Sequence, residues 1–509
     1  MKIHSRVPTF FAPYSAPQRP QRFLRPFNIP MIFRPFIQPF VTHPWLRPFT
    51  RPTLRPTPPP DHTPSRPERR TLPPSPDRPS PHTWDGKDMT QRPDDPYIAK
   101  VNKRSYDKQQ IIEQLTRGVS TWRDTNQNNQ TEIGFSFNNG GFNEAQKQEA
   151  RRSLTSYSDI ANLTFTENGS TAEGRVTFGI SNSVPTAQGT YPTPGRGGGG
   201  ATLYSPRMAT RVVMTHEIGH ALGLKHPGNY DGSASESQRA YAQDSTAHTV
   251  MSYFGDQSSG KQLGAKPLAP MMDDIAAIQK KYGANHQTRK EDNTYGFNSN
   301  TQRDYYSLNS ARDRLIACIW DGGGNDTVDV SGYRANQLIN LKAGAFSDVG
   351  GLKGNLSIAR DCTIENAIGG SGHDALIGNN ADNRLTGGAG ADQKRGGGAD
   401  TFVYNNALDS TPEQPDTLLD FTSGTDKIDV SGAMQKARAS SLSFVQAFNG
   451  KAGETLLTYD ETTGKGSVSI DLDGNGRVDL RIKTHGRVKP DDIVQTVANS
   501  RYRLSRRRG

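Results

Sequence analysis

Two patterns of hydrophobic and polar positions divide this chain near residue 284. Before that point, apolar residues recur with the periods of helices and strands. Order is expected to begin near Tyr106, after a long stretch without either period. Asn143 is placed to cap a helix that starts at Glu144. The spacing predicts helices over 106–115, 144–157 and about 208–222, and strands over 132–137, 163–167 and 175–180.

After residue 284 the composition shifts to Asn, Asp, Gly and Thr, and a nine-residue period appears. Residues 369–377 fit the pattern G-G-x-G-x-D-x-U-x completely, where U is apolar. Residues 378–386 fit it loosely, and residues 387–392 restart it. Lys394, however, stands where an apolar core residue is expected, and the unit that begins at residue 396 is one residue short.

This repeat has a direct physical interpretation. Each glycine-rich half forms a turn whose carbonyl and aspartate oxygens suit Ca²⁺. Each x-U-x half forms a short strand that contributes one core residue. The period therefore predicts a parallel β-roll with calcium between successive turns, and with fewer or weaker sites at its end. A flexible Gly/Asp linker is the alternative.

Alternating strands return near the C-terminus, over 467–470 and 478–482. Between them, residues 471–476 (DLDGNG) resemble the opening of an EF-hand loop. Ile482 occupies the twelfth position of that loop, where a bidentate Glu is needed. A hairpin turn is therefore the preferred interpretation, and a tight calcium site is not expected.

The most informative motif occupies residues 216–226, which read HEIGHALGLKH. His216 and His220 are four residues apart, so they share one face of a helix. Gly223 can end that helix by adopting positive φ, and the chain can then turn so that His226 approaches the same point. This spacing is typical of a hydrolytic zinc site with three histidine ligands.

Glu217 follows the first of these histidines and is close enough to polarise a water molecule without binding the metal itself. The motif therefore predicts a single catalytic Zn²⁺ with Glu217 as the general base of a hydrolase. A helix whose histidines are merely satisfied by hydrogen bonds is the alternative.

Three further segments carry a resemblance to a known family. They are residues 226–230 (HPGNY), 249–254 (TVMSYF) and 269–279 (APMMDDIAAIQ). Together with the histidine motif, they resemble the serralysins, which are secreted zinc endopeptidases of the metzincin clan. The resemblance implies that Met251 forms a hydrophobic floor beneath the zinc ligands. It also implies that Tyr253 is a fifth zinc ligand that swings away to stabilise the tetrahedral intermediate.

The same resemblance implies the fold and the domain organisation. The expected fold is an α+β metzincin protease domain followed by an all-β parallel β-roll domain. A disordered Pro/Arg-rich N-terminal tail is expected from composition instead, and it departs from the family pattern, which has only a short propeptide. The expected boundaries are 1–83 for the tail, 84–283 for the protease, 284–494 for the calcium-binding and secretion domain, and 495–509 for a basic extension.

Several structural calcium ions are also implied. The expected ligands lie in the linker that opens the second domain and in the glycine-rich turns: Arg289, Asp292, Asp321, Gly323, Gly324, Asp326, Thr363, Glu365, Gly370, Gly372, Asp374, Gly388, Gly390, Asp392 and Asp400.

Composition and charge describe the two ends of the chain. Residues 1–83 contain 22 of the 34 prolines, and 13 Lys and Arg against 3 Asp and Glu. This tail should be disordered or polyproline-like. It is an unusual pro-segment, a partner-binding tail, or an upstream extension absent from the mature enzyme, and the last is preferred. The final nine residues add five arginines. The net charge of +10 thus lies in the tails, and a nucleic-acid binder is not expected.

The sequence also bears on the cellular location of the protein. There is no apolar run of 18 residues, so no membrane span is expected, and the N-terminus does not look like a secretory signal peptide. Two cysteines, Cys318 and Cys362, exclude a disulfide framework and are expected to be buried thiols. The resemblance implies an extracellular monomer exported by a type I exporter, which reads a motif like residues 491–494 (DDIV). Its expected partners are protein or peptide substrates and possible small protein inhibitors.

Two other classes of protein compete with this interpretation. A non-catalytic calcium-binding RTX adhesin, or a decayed protease, would share the β-roll, and the defective repeats favour it slightly. An interpretation as a matrix-metalloprotease or astacin-like enzyme has weaker support, because no cysteine-switch segment precedes the zinc motif and the β-roll belongs with serralysins.

Overall fold

The structure is a computed structural model that describes residues 88–91, 93–138, 140–169, 173–195 and 199–496. The predicted tail over 1–83 and most of the extension over 495–509 lie outside these residues. The α-helices are α1 (Lys108–Thr116), α2 (Glu144–Ile160), α3 (Arg211–Ala221), α4 (Met272–Tyr282) and α5 (Ser431–Ala437).

The strands of the first half are β1 (Thr131–Phe137), β2 (Leu163–Glu167), β3 (Gly174–Ile180), β4 (Ala187–Gly189) and β5 (Ala201–Tyr204). Those of the second half are β6 (Thr294–Gly296), β7 (Ala317–Ile319), β8 (Thr327–Asp329), β9 (Leu338–Asn340), β10 (Phe346–Ser347), β11 (Leu356–Ile358), β12 (Asn366–Ile368), β13 (Ala375–Ile377), β14 (Arg384–Thr386), β15 (Gln393–Arg395), β16 (Thr401–Val403), β17 (Asp416–Leu418), β18 (Lys427–Asp429), β19 (Ser443–Phe444), β20 (Glu454–Asp460), β21 (Lys465–Asp471), β22 (Leu480–His485) and β23 (Ile493–Val494).

The first half is a five-stranded sheet in the order β2-β1-β3-β5-β4, in which only β4 runs antiparallel to its neighbour. The predicted helices and strands are confirmed to within a few residues. Asn143 caps α2 as predicted, because its side chain accepts a hydrogen bond from the backbone of Gln146. Strands β4 and β5 were not predicted, since strands of three and four residues are too short to show alternation.

The second half is built from a three-stranded sheet, in the order β10-β11-β7, and two larger, mainly parallel sheets of short strands. One has the order β23-β18-β16-β14-β12-β8-β6, and the other the order β19-β20-β21-β22-β17-β15-β13-β9. Successive strands of the repeat alternate between the two sheets, which is the predicted parallel β-roll. Most three-residue strands of the repeat bury their middle residue, for example Leu376, Leu385 and Phe402, whereas β17 buries its two outer residues. Strands β21 and β22 pair antiparallel, so the predicted hairpin is confirmed.

The expectation that order begins near Tyr106 is wrong. A short 3₁₀ turn at Met89–Gln91 and another at Ile98–Lys100 precede it. This segment lies on the β-roll, where Asp88 forms an ion pair with Arg395. Its order comes from contacts with residues some 300 positions away, and such contacts leave no periodic signal in the sequence.

A continuous cluster of buried apolar side chains runs from the protease half into the roll. Ion pairs cross the same junction: Arg211 binds Asp304 at 2.7 Å, and Arg303 binds Asp159 at 2.7 Å. Cys318 and Cys362 are buried free thiols. In the described part of the chain, no helix is both long enough and apolar enough to cross a membrane.

Candidate active site and metal centres

Helix α3 and the loop after it bring three histidine rings together. His220 Nε2 lies 3.0 Å from His226 Nε2, which lies 3.2 Å from His216 Nε2. His220 and His226 are buried, and His216 is partly buried. The sequence motif therefore folds into a cluster whose three Nε2 atoms face a common point.

The other nitrogen of each ring fixes its tautomer. His216 Nδ1 lies 2.8 Å from the carbonyl of Val250, His220 Nδ1 lies 2.7 Å from that of Leu224, and His226 Nδ1 lies 2.9 Å from that of Tyr230. A carbonyl accepts hydrogen bonds only, so each Nδ1 carries the proton and donates it.

Three Nε2 lone pairs are then left facing one another, which is unfavourable unless they share a cation. A tetrahedral ion bound at about 2.0–2.1 Å holds its nitrogen ligands about 3.3 Å apart, close to the spacing seen here. The donors therefore fit zinc. Burial, followed by the nearby His226, lowers the pKa of His216 to about 3, so the ring is neutral, as a zinc ligand must be.

Close packing beneath α3 depends on one glycine. A Cβ on Gly219 would lie 2.5 Å from the sulfur of Met251 and 3.0 Å from the hydroxyl of Tyr157. The Met251 side chain is fully buried, and it reaches the helix between the first two histidines. The sequence analysis did not single out Gly219, although it lies within the motif.

The turn after α3 aims the third histidine. Gly223 has a φ of +91°, and the amide of Leu224 donates to the carbonyl of Gly219 at 2.8 Å, which closes the helix end. The residue that follows α1 then holds the loop. Arg117 donates to the carbonyls of His226 and Gly228, both at 2.9 Å.

Gln114, one turn earlier in α1, donates to the carbonyl of Pro227 at 2.6 Å. The sequence analysis missed both Gln114 and Arg117, because contacts across more than 100 positions have no local signature.

The Met-turn is held from α4. Asp274 is buried and accepts hydrogen bonds from Thr249 Oγ1 at 2.5 Å and from the amide of Val250 at 2.7 Å. Val250 is the residue whose carbonyl orients His216. One carboxylate thus fixes both the turn and the first histidine.

Glu217 faces the same cleft as the histidines. Its Oε2 atom is buried and has no hydrogen-bond partner among the described residues. Burial, with repulsion from Asp231 second, raises the pKa of Glu217 to about 8. A divalent cation in the neighbouring histidine cluster would lower that value, since it stabilises the carboxylate.

Strand β4 approaches this carboxylate very closely. A Cβ on Gly189 would lie 2.7 Å from the carbonyl of Glu217 and 3.0 Å from its Oε2. Only glycine fits there without a shift, and this glycine was not identified from the sequence.

Tyr253 lies beside the histidines at the mouth of the cleft. Its ring centroid is 4.5 Å from that of His226 and 5.8 Å from that of His216, and the residue is 39% exposed. Burial, with Asp231 second, raises the pKa of the phenol, which therefore stays protonated at neutral pH. The cleft has a volume of about 420 Å³, and Tyr191, Lys225 and Asp231 also line it.

The predicted calcium ligands fall into two groups. In the first, Asp321, Asp326 and Glu365 lie close together, and Asp326 Oδ2 is buried without a partner among the described residues. The guanidinium of Arg289 points elsewhere: it lies 3.1 Å from Asp159 and donates to the carbonyl of Trp320. Only the main-chain carbonyl of Arg289 is left to serve as a ligand. Asp292 and Thr363, the other two predicted ligands of this group, are both exposed to solvent.

The second group lies in the stacked turns. A Cβ on Gly388 would lie 2.0 Å from the carbonyl of Gly370, and one on Gly390 would lie 2.0 Å from that of Gly372. Glycine therefore lets the turns stack closely enough to share a cation. Asp392 Oδ2 is buried there without a partner among the described residues. These orphaned carboxylate oxygens fit Ca²⁺.

Four other predicted positions complete the set: two glycines in the turn of the first group and two aspartates that bond to backbone amides. Gly323 and Gly324 adopt φ values of +131° and +137° in the turn of the first group. Both oxygens of Asp374 are satisfied by backbone amides, those of Gln337 and Gly370. Asp400 is likewise bonded to two amides.

The hairpin turn between β21 and β22 brings three more carboxylates together. Ligand atoms of Asp471, Asp473 and Asp479 lie within 4.8 Å of one another. The sequence analysis treated this segment as a turn and did not connect Asp479 with it.

An α+β domain whose cleft holds a three-histidine cluster and an adjacent carboxylate fits the class of zinc hydrolases, and the family matches narrow this class to metallopeptidases. Sequence comparisons agree with this class. Residues 112–270 match the family described as metallo-peptidase family M12B, reprolysin-like, and residues 284–495 match peptidase M10, serralysin C terminal.

Full-length relatives narrow the class to a family. The chain is 42% identical to metallopeptidase AprA of Pseudomonas marginalis over 77% of this chain and 92% of the relative. It is 43% identical to serralysin C of Dickeya chrysanthemi over 76% and 89%, and 44% identical to a serralysin of Photorhabdus luminescens over 65% and 75%. The chain belongs to the serralysin family and is a zinc metalloendopeptidase.

Proposed function

We propose that this chain is a secreted endopeptidase that hydrolyses peptide bonds in extracellular proteins, with His216, His220 and His226 as zinc ligands and Glu217 as general base. The observation that supports this most is the convergence of three Nε2 atoms, spaced 3.0 and 3.2 Å apart, beside a buried carboxylate oxygen that lacks a partner. Neither the adhesin nor the decayed-protease alternative requires such an arrangement.

When bound, zinc supplies a Lewis acid that polarises water and the scissile carbonyl. Glu217 accepts the proton of the attacking water and delivers it to the leaving amine. Burial raises the pKa of Glu217 and the bound cation would lower it, so the carboxylate can accept a proton and then return it near neutral pH. The protonated phenol of Tyr253 donates to the carbonyl oxygen as negative charge develops there, a contribution of about 3 kcal/mol by analogy with single oxyanion-hole donors.

Strand β4 supplies the binding edge for an extended substrate. On either side of β4, the carbonyl of Thr186 accepts a hydrogen bond from the amide of Ser205, and the amide of Thr190 donates to the carbonyl of Ala201. Alternate residues along this segment therefore bond to β5. The amides and carbonyls of Ala187 and Gly189 therefore face the open side of the strand. A peptide that pairs there passes directly beside Glu217, which Gly189 approaches without a side chain.

Structural calcium belongs to the same proposal. The stacked turns of the roll, with the unpartnered oxygens of Asp326 and Asp392, are proposed to hold several Ca²⁺ ions. The ions would offset repulsion among buried carboxylates and so couple calcium binding to folding of the roll.

We also propose export through a type I exporter that reads the segment around residues 491–494. In the folded protein Ile493 and Val494 form β23 at the edge of a sheet, and Asp492 is buried. The exporter would therefore read this segment before the roll folds, and external calcium would then stabilise the folded roll. A small protein inhibitor would enter the cleft from the open edge of β4.

The test is the Glu217→Gln variant, with the exposed Glu113→Gln as a matched control. Cleavage of casein should fall by at least about a hundredfold in Glu217→Gln, the usual range for loss of a general base, while zinc content and fold persist. The control should retain full activity. Full activity in Glu217→Gln would contradict the assignment of the base.

A further inference from the structure

Lys394 occupies an unusual place in the β-roll. It is the middle residue of β15 and is fully buried, whereas the middle residues of the nearby repeat strands β13, β14 and β16 are apolar. In its sheet it is paired with Leu376 on one side and Leu418 on the other. A lysine that is buried among leucines must find a counter-charge within the protein.

That counter-charge is supplied by Asp416. The ammonium of Lys394 lies 2.8 Å from Asp416 Oδ2, and both side chains are fully buried. The ammonium also lies 4.1 Å from the ring centroid of Tyr404. The other carboxylate oxygen of Asp416 accepts from the amide of Asp392 at 2.8 Å.

This pair lies where the stack of glycine turns ends. Turns 369–374 and 387–392 meet through glycine, since Gly388 and Gly390 contact the carbonyls of the turn before them. The next turn on this side, residues 411–416 (TPEQPD), contains two prolines and no glycine. It nevertheless continues the column of aspartates, because the amide of Asp374 donates to Asp392, and the amide of Asp392 donates to Asp416.

We propose that the ammonium of Lys394 is a tethered cation that takes the place of a calcium ion between turns 387–392 and 411–416. The row of calcium sites on this side then ends at turn 387–392, and the last interval is neutralised by the chain itself. This inference rests on the proposed calcium-binding role of the roll. Its charge-pairing component can be tested without calcium.

The experiment compares four full-length proteins, each carrying Glu217→Gln so that they do not degrade themselves. They are the parent, Lys394→Met, Asp416→Asn and the double variant. A fifth protein with Leu376→Met controls for placing methionine in the same sheet, a volume-conserving change. The readout is the thermal unfolding midpoint of the roll, in chelator and in about 10 mM CaCl₂.

In chelator, Lys394→Met should lower the midpoint by about 6–20 °C, because it leaves Asp416 buried without a partner. Asp416→Asn should also lower it, and the double variant should regain most of the loss. The Leu376→Met control should stay within about 3 °C of the parent. A double variant no more stable than the single variants would overturn the pairing.

The measurements in calcium test whether the ammonium of Lys394 takes the place of a calcium ion. The gap between Lys394→Met and the parent should shrink by at least about half in calcium, because the freed carboxylates of Asp392 and Asp416 then bind Ca²⁺ by mass action. A gap that calcium leaves unchanged would overturn the proposal. If calcium failed to stabilise the parent itself, the proposed calcium role of the roll would fail, whereas the comparison in chelator would still report on the pair.

Discussion

Asp95 connects the N-terminal segment to the base of the Met-turn. Its two oxygens lie 2.9 and 2.7 Å from the ammonium of Lys261, and one of them accepts from His248 Nε2 at 2.9 Å. Burial, followed by the nearby Lys261, lowers the pKa of His248, so this ring is a neutral donor. Lys261, which is fully buried, is therefore the cation that Asp95 neutralises.

The Asp95→Asn variant removes the negative charge and keeps the shape. Loss of one partner of a buried ion pair costs about 3–5 kcal/mol. The side chain of Asp95 is 17% exposed, so we expect the lower end, about 3 kcal/mol. At about 2–4 °C per kcal/mol, the unfolding midpoint should fall by about 6–12 °C.

The assay is thermal unfolding at saturating calcium in the Glu217→Gln background. A second variant, Asp95→Asn with Lys261→Met, removes both charges and should recover most of the loss. A midpoint within about 1 °C of the parent for Asp95→Asn would refute the reasoning, because it would show that the lysine does not depend on this carboxylate. If the reasoning holds, processing that removes Asp95 would impose a similar loss, and the mature chain should retain it.

Three further predictions concern the site and the roll. Gly219→Ala should lower the free energy of unfolding by about 1–3 kcal/mol and speed the loss of zinc to a chelator, because the new methyl group would contact the sulfur of Met251. The control Gly255→Ala should change neither quantity, because a methyl group there faces open space. In chelator, the unfolding midpoint should fall as the pH rises from about 5 to 8. Burial raises the pKa of Asp326 to about 8 and of Asp374 to about 7, so the folded roll holds protons that the unfolded chain releases. Saturating calcium should remove this trend, and a midpoint in chelator that rises with pH would contradict it. Tyr253→Phe should lower kcat by about a hundredfold with little change in KM, and an unchanged kcat would remove the phenol from the mechanism.

The sequence predicted those features of the fold and the site that depend on the spacing of nearby residues. The histidine motif placed two ligands on one helix face, and Gly223 supplied the turn toward the third. The nine-residue period likewise predicted the parallel strands and stacked turns. In each case the physical constraint acts over a short stretch of chain, with 18 residues between stacked turns, so it leaves a readable pattern.

Features that depend on long-range contacts could not be predicted in this way. Arg117 holds the loop of the third histidine across 109 positions, and Asp95 reaches Lys261 across 166. Strand β4, with Gly189, is too short to show a period. Lys394 was recognised as a defect in the repeat, but its partner Asp416 is brought to it only by the fold.

The central claim is that three histidines bind one zinc ion in front of Glu217. The most direct measurement is X-ray absorption at the zinc edge on the purified protein, together with its metal content. We predict about one zinc per chain with three histidine nitrogens at about 2.0–2.1 Å. Pure, folded protein that holds no zinc, or zinc bound by fewer than three histidines, would contradict the account.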